Sequence, residues 1–247
     1  TKFGIESTLV PSEQLFNVYK TIGSSDEVRS LASKLMDGAL SVKVDRTDVE
    51  RAVQLYIAIK RMMERYRANT VTINCAEPIF FKYKVTPCLA FSLLKDEGVP
   101  ASCEADLSAL LAMMILMWLT DKPTFMGNLW LHDEERNLVR FSHDVPPLKV
   151  KGFKEEKLPY EIFDFHDQKY GASFYVHVEL NKPVTFARVH ASLNKMLVST
   201  GTVVESYEGI ACRQTLEIRV KNARRLMKRV ANYGHHFSLV YGDYSSD

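Results

Sequence analysis

From Leu107 to Thr120 the chain runs through fourteen residues without a charge, held between Asp106 and Asp121. A helix needs about 20 apolar residues to cross a bilayer, so this run is too short to span a membrane. Met113, Met114, Ile115, Met117 and Trp118 place apolar groups around nearly the whole circumference of a helix. Such a segment predicts a core helix covered on most sides. With 46% hydrophobic residues in a chain of 247, there is enough apolar material to build that core, and the length fits two domains sharing an interface.

Upstream of the run, Pro11 to Ile22, Asp26 to Leu40 and Asp45 to Arg67 carry apolar residues at helical spacing. In the third segment Val49, Val53, Tyr56, Ile57, Ile59 and Met63 mark one broad face. Thr47 or Asp45 is the expected cap, and Glu50 three residues after Thr47 fits a capping box. The pattern changes at Thr70 to Cys75, a short β-branched strand. A helix from about Pro87 to Lys95 follows, closed by Gly98, and a short segment then reaches Cys103-Glu104. Strand and helix alternating over residues 70 to 120 predict a parallel α/β layer. Ligands collect at the C-terminal ends of such strands, where Cys75 and Cys103-Glu104 fall.

After Lys122 the chain reads mainly as β. Thr124 to His132 and Asn137 to Ser142 suggest a hairpin around residues 133 to 136. Phe174 to Leu180, Val184 to Val189, Met196 to Ser199, Thr202 to Ser206 and Ala211 to Val220 continue as short strands, with Gly201 turning between two of them and Pro183 opening one. Their spacing predicts a closed or nearly closed antiparallel barrel over about residues 150 to 220, with Phe174 to Val178 as one wall. Lys221 to Asn232 reads as a helix and Phe237 to Tyr241 as a last strand. The expected class is α/β: a helical lead-in (1–69) and a strand–helix layer (70–148) forming one domain, then a C-terminal antiparallel β-barrel domain (149–247).

Charge and cysteine usage narrow the class. The 32 basic residues against 30 acidic ones leave no general surplus for neutralising phosphates, which argues against a nucleic-acid binder. Arg224, Arg225, Lys228 and Arg229 form the best local basic patch, read as a solvated helix face. Cys75, Cys88, Cys103 and Cys212 lie far apart with no CxxC pair, so reduced thiols in a cytoplasmic protein are expected. The start at Thr1 without Met suggests a fragment lacking N-terminal material.

Several islands could carry chemistry. They are Thr86-Pro87-Cys88 with Cys103-Glu104-Ala105-Asp106, then Pro123-Thr124-Phe125-Met126-Gly127-Asn128, then Gly234-His235-His236, with His143 as a further candidate. Carboxylate, imidazole and amide oxygen together can hold Mn²⁺ or a similar divalent ion if the fold brings them together. Spacing leaves open whether these residues converge or are surface and hydrogen-bonded structural groups.

In succession, Val71 to Cys75, Thr86 to Ala90, Cys103 to Asp106, Lys122 to Asn128, Lys182 to Ala187, Gly201 to Val204 and Gly234-His235-His236 through Tyr241-Gly242-Asp243 resemble the C-terminal portion of the L-fucose and L-arabinose isomerase superfamily. The fucose isomerase-like branch is the nearest in pattern. The resemblance implies an α/β domain joined to a β-barrel, with a further N-terminal domain outside this chain. It implies a homo-oligomer, trimer or hexamer, whose sites draw on more than one subunit. It also implies a divalent metal, usually Mn²⁺, holding two neighbouring oxygens of an open-chain sugar while a proton moves between C1 and C2 through a cis-enediol.

On this pattern Glu104 falls on the glutamate that binds metal and transfers the proton, and His236 on a ligand histidine. Asn128 falls where fucose isomerases carry a ligating acid/base aspartate, and His143 lies near a further ligand histidine of arabinose isomerases. Asn128 is the departure: its amide oxygen can coordinate but cannot exchange a proton at neutral pH. Asp106, Asp133 or a metal-bound water would then take the second proton-transfer role, unless activity is altered or lost. Asp106 has an alternative role as the cap of the apolar helix. His235 is a further possible site residue. The expectation is therefore a metal-dependent aldose–ketose isomerase. The alternatives are a non-catalytic sugar- or metal-binding relative and a protein in which Glu and His are accidental.

Overall fold

A computed structural model describes residues 3–209 and 212–245. Helices α1 (Ser12–Ile22), α2 (Asp26–Asp37) and α3 (Arg46–Tyr66) form the lead-in, with the two-residue strand β1 (Ser41–Val42) before α3. The apolar face of α3 packs on α1, α2 and the later helix of residues Cys88–Asp96. Ser25 caps α2 by accepting from the Val28 N–H. The capping box expected on α3 is absent: Asp45 takes the N-cap position without a side-chain bond, and Glu50 instead pairs with Arg46 at 2.9 Å.

Strands β2 (Val71–Ile73) and β3 (Ala101–Cys103) pair in parallel, separated by α4 (Pro78–Tyr83) and α5 (Cys88–Asp96). Gly98 follows α5 at φ +83°, a conformation glycine adopts without steric penalty. Helix α6 (Leu107–Thr120) matches the apolar run and packs on the barrel beside β3. It is covered from Ala109 to Met114 and at Leu116 and Met117. The expectation of cover on most sides fails at its ends, where Leu107, Trp118 and Leu119 are 65%, 63% and 75% exposed.

The hairpin of β4 (Phe125–Asp133) and β5 (Leu138–His143) follows, then strands β6 (Tyr160–Phe163) and β7 (Ser173–Val176). The chain continues through β8 (Lys182–Val189), β9 (Met196–Glu208), β10 (Gln214–Val220), α7 (Ala223–Val230) and β11 (His236–Tyr241). Six of these strands close an antiparallel barrel in the order β10-β5-β4-β11-β8-β9. The protein is thus mixed α/β with a C-terminal barrel, as the sequence pattern implies.

The composition of the barrel differs from the expectation in three ways. It begins at Phe125 rather than near residue 150, so its strands come from both sides of residue 148. The segment Phe174 to Val178 is not one of its walls, because β7 pairs with β6 and β6 with β1 in a separate three-stranded sheet. Every residue of β7 is buried, and Phe174 packs edge-on against Tyr160 at 5.2 Å, so this strand needs cover on both faces. Finally, Gly201 does not turn the chain. It lies inside the single strand β9, where a Cβ would sit 2.5 Å from Ile218 and 2.7 Å from the Arg219 carbonyl. Its lack of a side chain permits a close approach of β9 to β10, where the register shifts between Glu217 and Ile218. Ala211, the expected start of β10, lies outside the described residues.

On α7, Ala223, Leu226 and Val230 face inward while Arg224, Arg225, Lys228 and Arg229 are exposed, and Arg224 pairs with Glu134. The basic patch is a solvated helix face. Among the described residues no helix is long and apolar enough to cross a membrane.

Candidate metal centre

Glu104 leaves the C-terminal end of β3 in the left-handed region, at φ 58°, and Ala105 follows at φ 53°. Two successive non-glycine residues there store about 1–3 kcal/mol of strain each, a cost that functional sites tend to carry. The kink delivers the chain into Asp106, the N-cap of α6. Asp106 Oδ1 accepts from the Ala109 N–H at 2.9 Å, so the capping role is real. Its second oxygen has a different task. Asp106 Oδ2 accepts from Arg188 Nη1 at 2.8 Å and from His236 Nδ1 at 3.1 Å. Burial opposes ionisation of Asp106, but the bonds from His236 and Arg188 outweigh it and hold the carboxyl well below the usual carboxylate range.

His236 opens β11, where it pairs in register with Asn128 of β4. With the Nδ1–H given to Asp106, the neutral ring presents a lone pair at Nε2. That Nε2 is buried, lacks a hydrogen-bond partner among the described residues, and lies 3.6 Å from Glu104 Oε2. Two electron-rich atoms aimed at each other across that gap suit a cation between them.

His143 ends β5 with its Nε2 3.6 Å from Glu104 Oε1. One donor atom each from Glu104, His143 and His236 lies within 4.8 Å of the others, a grouping that could hold a metal ion. The two histidines are wired differently, however. His143 Nδ1 accepts the Asp144 backbone N–H at 2.9 Å, which leaves the proton of the neutral ring on Nε2. Burial lowers the His143 pKa and keeps the ring neutral near pH 7. His143 therefore faces Glu104 as an N–H donor, whereas His236 faces it as an acceptor. The His143 N–H, directed at the carboxylate, lowers the Glu104 pKa against the opposing effect of burial.

Asn128, Glu104 and His143 line one cavity of about 110 Å³, walled on its apolar side by Phe80, Phe81, Phe165 and Tyr170. Sequence candidates Glu104, Asp106, Asn128, His143 and His236 are thus brought together. His235 is exposed at the edge, its ring 4.2 Å from that of His236 between centroids. Asp133 is not in the site. It ends β4 five residues beyond Asn128, about 16 Å along an extended strand, and its carboxylate caps the following turn through the Arg136 N–H.

Sequence reasoning missed Arg188. Besides Asp106, its guanidinium bonds the carbonyl oxygens of His236 and Tyr233, locking the start of β11 to β8. Gly234, at φ +99°, makes room for it: a Cβ there would lie 3.1 Å from the guanidinium. A glycine directly before a histidine pair was the available signal, but nothing local named the arginine that occupies the space.

No family model matches this chain. Among curated proteins it is similar to the sulfoquinovose isomerase of Clostridium sp. (strain MSTE9), 25% identical over 145 residues covering 57% of this chain and 32% of that protein. It is also similar to the sulfoquinovose isomerases of Priestia aryabhattai and Priestia megaterium, each 28% identical over 105 residues, 41% of this chain and 24% of theirs. The matched region spans only about a quarter to a third of the length of these relatives. The comparisons support one coarse statement: the chain is distantly similar to sugar isomerases.

Proposed function

We propose that this chain carries the metal-site portion of an aldose–ketose isomerase acting on a free sugar or sugar derivative. The observation that carries the reading is the His236 Nε2 atom, buried, unpartnered and facing the Glu104 carboxylate. Glu104 and His236 would hold a divalent ion, most simply Mn²⁺, with the Asn128 amide oxygen as a neutral donor, and the ion would polarise the sugar carbonyl.

The remaining chemistry belongs to the chain's own side chains. Glu104, kept ionised by its neighbours, is the base that accepts the proton from one carbon and returns it to the next. The His143 N–H donates to a sugar oxygen as charge develops there. Asp106 fixes the ring of His236 and its tautomer. The aromatic walls of the cavity keep the enediol from bulk water.

The names of the relatives offer sulfoquinovose, a sulfonated sugar, as one candidate substrate. The described residues lining the cavity include no Lys or Arg, so a sulfonate would need recognition by groups outside this lining. An oligomer and a further N-terminal domain would supply such groups, and the exposed Trp118 and Leu119 of α6 are consistent with cover in an assembly. The wide spacing of the four cysteines along the chain, with no CxxC pair, suits reduced thiols and a cytoplasmic setting.

Asn128 sustains a second reading, a sugar- or metal-binding protein that no longer turns over. The deciding experiment assays the full-length parent with Mn²⁺ against a panel of aldoses and ketoses that includes sulfoquinovose. Turnover that disappears in Glu104→Gln supports the enzyme. Stoichiometric metal or sugar binding without turnover supports the second reading, and absence of both metal and sugar binding removes both readings.

A further inference from the structure

A second group of side chains, unused by the reaction above, converges on the same cavity from three other places in the fold. Asp144 follows β5, His166 sits in the turn between β6 and β7, and Cys212 precedes β10. We propose that Asp144 Oδ2, His166 Nε2 and Cys212 Sγ form a second divalent-metal site, suited to Zn²⁺ or an ion of similar softness.

Three observations point there. His166 Nε2 lies 2.8 Å from Asp144 Oδ2 and 3.5 Å from Cys212 Sγ, and one donor atom from each residue falls within 4.8 Å of the others. A tetrahedral zinc with ordinary bond lengths separates a nitrogen and a sulfur ligand by about 3.5 Å, as here, and a nitrogen and an oxygen ligand by about 3.3 Å, so the Asp144–His166 pair would open by about 0.5 Å to admit the ion. Asp144 Oδ2 is buried and makes no hydrogen bond among the described residues, its nearest neighbour of opposite character being the His166 imidazole. The same carboxylate's other oxygen is occupied by the Arg213 backbone N–H at 2.6 Å, which fixes Oδ2 toward the cavity. His166 is presented by a turn in the left-handed region, at φ 47°, and its ring stacks on Phe165 at 4.0 Å.

The donor set is chemically distinct from that at Glu104. Carboxylate, imidazole and thiolate together balance a doubly charged ion, and the sulfur favours zinc over Mn²⁺. A nucleophilic cysteine triad does not fit. There the thiol and the carboxylate use opposite nitrogens of the imidazole, whereas here both approach the same Nε2. Burial also pushes the Cys212 thiol up to about 12, so without a metal it is a poor nucleophile. The two sites would touch through the backbone, since the Asp144 N–H that orients His143 belongs to a ligand of the second ion.

The test titrates the reduced, metal-free chain with Co²⁺ and then Zn²⁺, reading metal stoichiometry and the thiolate-to-cobalt charge-transfer band. Two ions per chain and a thiolate band are expected. Cys212→Ser should remove the band and one ion while leaving the far-ultraviolet circular dichroism unchanged, and Glu104→Gln should keep the band. His166→Gln, a conservative change on a partly exposed loop, should weaken Zn²⁺ binding at this site at least tenfold, which tests the site independently if Cys212→Ser misfolds. Absence of a thiolate band overturns the proposal. So does a band that survives Cys212→Ser, since Cys75 and Cys103 would then be its source, and so does unchanged Zn²⁺ affinity in His166→Gln.

Discussion

His236 Nδ1 lies 3.1 Å from Asp106 Oδ2, joining residues 130 positions apart and making one carboxylate both a helix cap and the orienting partner of an imidazole. The two duties can be separated by mutation. Asp106→Asn retains an oxygen able to cap α6 but removes the charge that His236 and Arg188 share. Metal affinity should fall about 10–100-fold, the usual effect of losing such a partner. Asp106→Ala should lose the affinity and also the cap, about 0.5–2 kcal/mol of stability, with a further penalty from the unpaired Arg188. Calorimetric Mn²⁺ titration and thermal unfolding of both variants measure the two effects. Equal stability losses in the two variants would contradict the capping assignment.

The opposite wiring of the two histidines predicts opposite phenotypes. His236→Ala should abolish Mn²⁺ binding at the Glu104 site. His143→Ala should leave affinity within a few-fold and instead lower kcat in the full-length enzyme, by about 10²-fold if its N–H stabilises developing charge. Comparable loss of metal in both variants would make His143 a ligand and refute the assigned tautomer.

Asn128 can be returned to the acidic residue that the fucose isomerase pattern implies. Asn128→Asp adds a negative charge beside Glu104 and a group able to exchange a proton. Mn²⁺ should bind more tightly, and isomerase turnover in the parent should hold or rise. If affinity falls, Asn128 does not contribute to the ion's surroundings.

The chain alone should be a poor isomerase even where the parent is a good one. Catalysis of this type needs fixed sugar oxygens and a closed pocket, and this chain matches only about a quarter to a third of its relatives' length. Parallel Mn²⁺ binding and turnover measurements on chain and parent should show similar affinity but unequal rates. Equal turnover would remove the need for other walls.

A pH prediction comes from a residue outside the site. Lys95 is fully buried, its Nζ donating to the Val145 carbonyl, and burial lowers its pKa to about 7. The fold therefore favours the neutral amine, while the unfolded chain holds the proton up to about pH 10.4. Stability from this group is full above the unfolded value and is lost as pH falls through the window down to about 7, at about 1.4 kcal/mol per unit. Lys95→Met should flatten the dependence of unfolding free energy on pH between 7 and 10 and raise stability at pH 7 by a few kcal/mol, less about 1 kcal/mol for the lost bond. Neighbouring Asp96, raised by burial to about 6, works in the opposite sense at lower pH, so its effect does not overlap this window. An unchanged slope in Lys95→Met would show that Lys95 is charged in the fold.

Local patterning determined much of this protein. The uncharged run between two aspartates gave α6 its bounds, and β-branched Val71 to Ile73 and the alternation after Lys122 gave strands, because periodicity reports which faces an element must bury. Glu104 and His236 were legible through the resemblance of short motifs around them. Strand partnership was not legible. Nothing in Ser173–Val176 says that it pairs with Tyr160–Phe163 and through it with Ser41–Val42, since any strand buried on both faces reads alike wherever it lies. Gly201 read as a turn because a glycine's conformational freedom and its lack of bulk look identical in one dimension. The tautomers of His143 and His236, the place of Arg188 and the meeting of Asp144, His166 and Cys212 were decided only by the tertiary structure. Each depends on which donor or acceptor from a distant strand comes within about 3 Å, and hydrogen bonds act at that range, without regard to sequence separation.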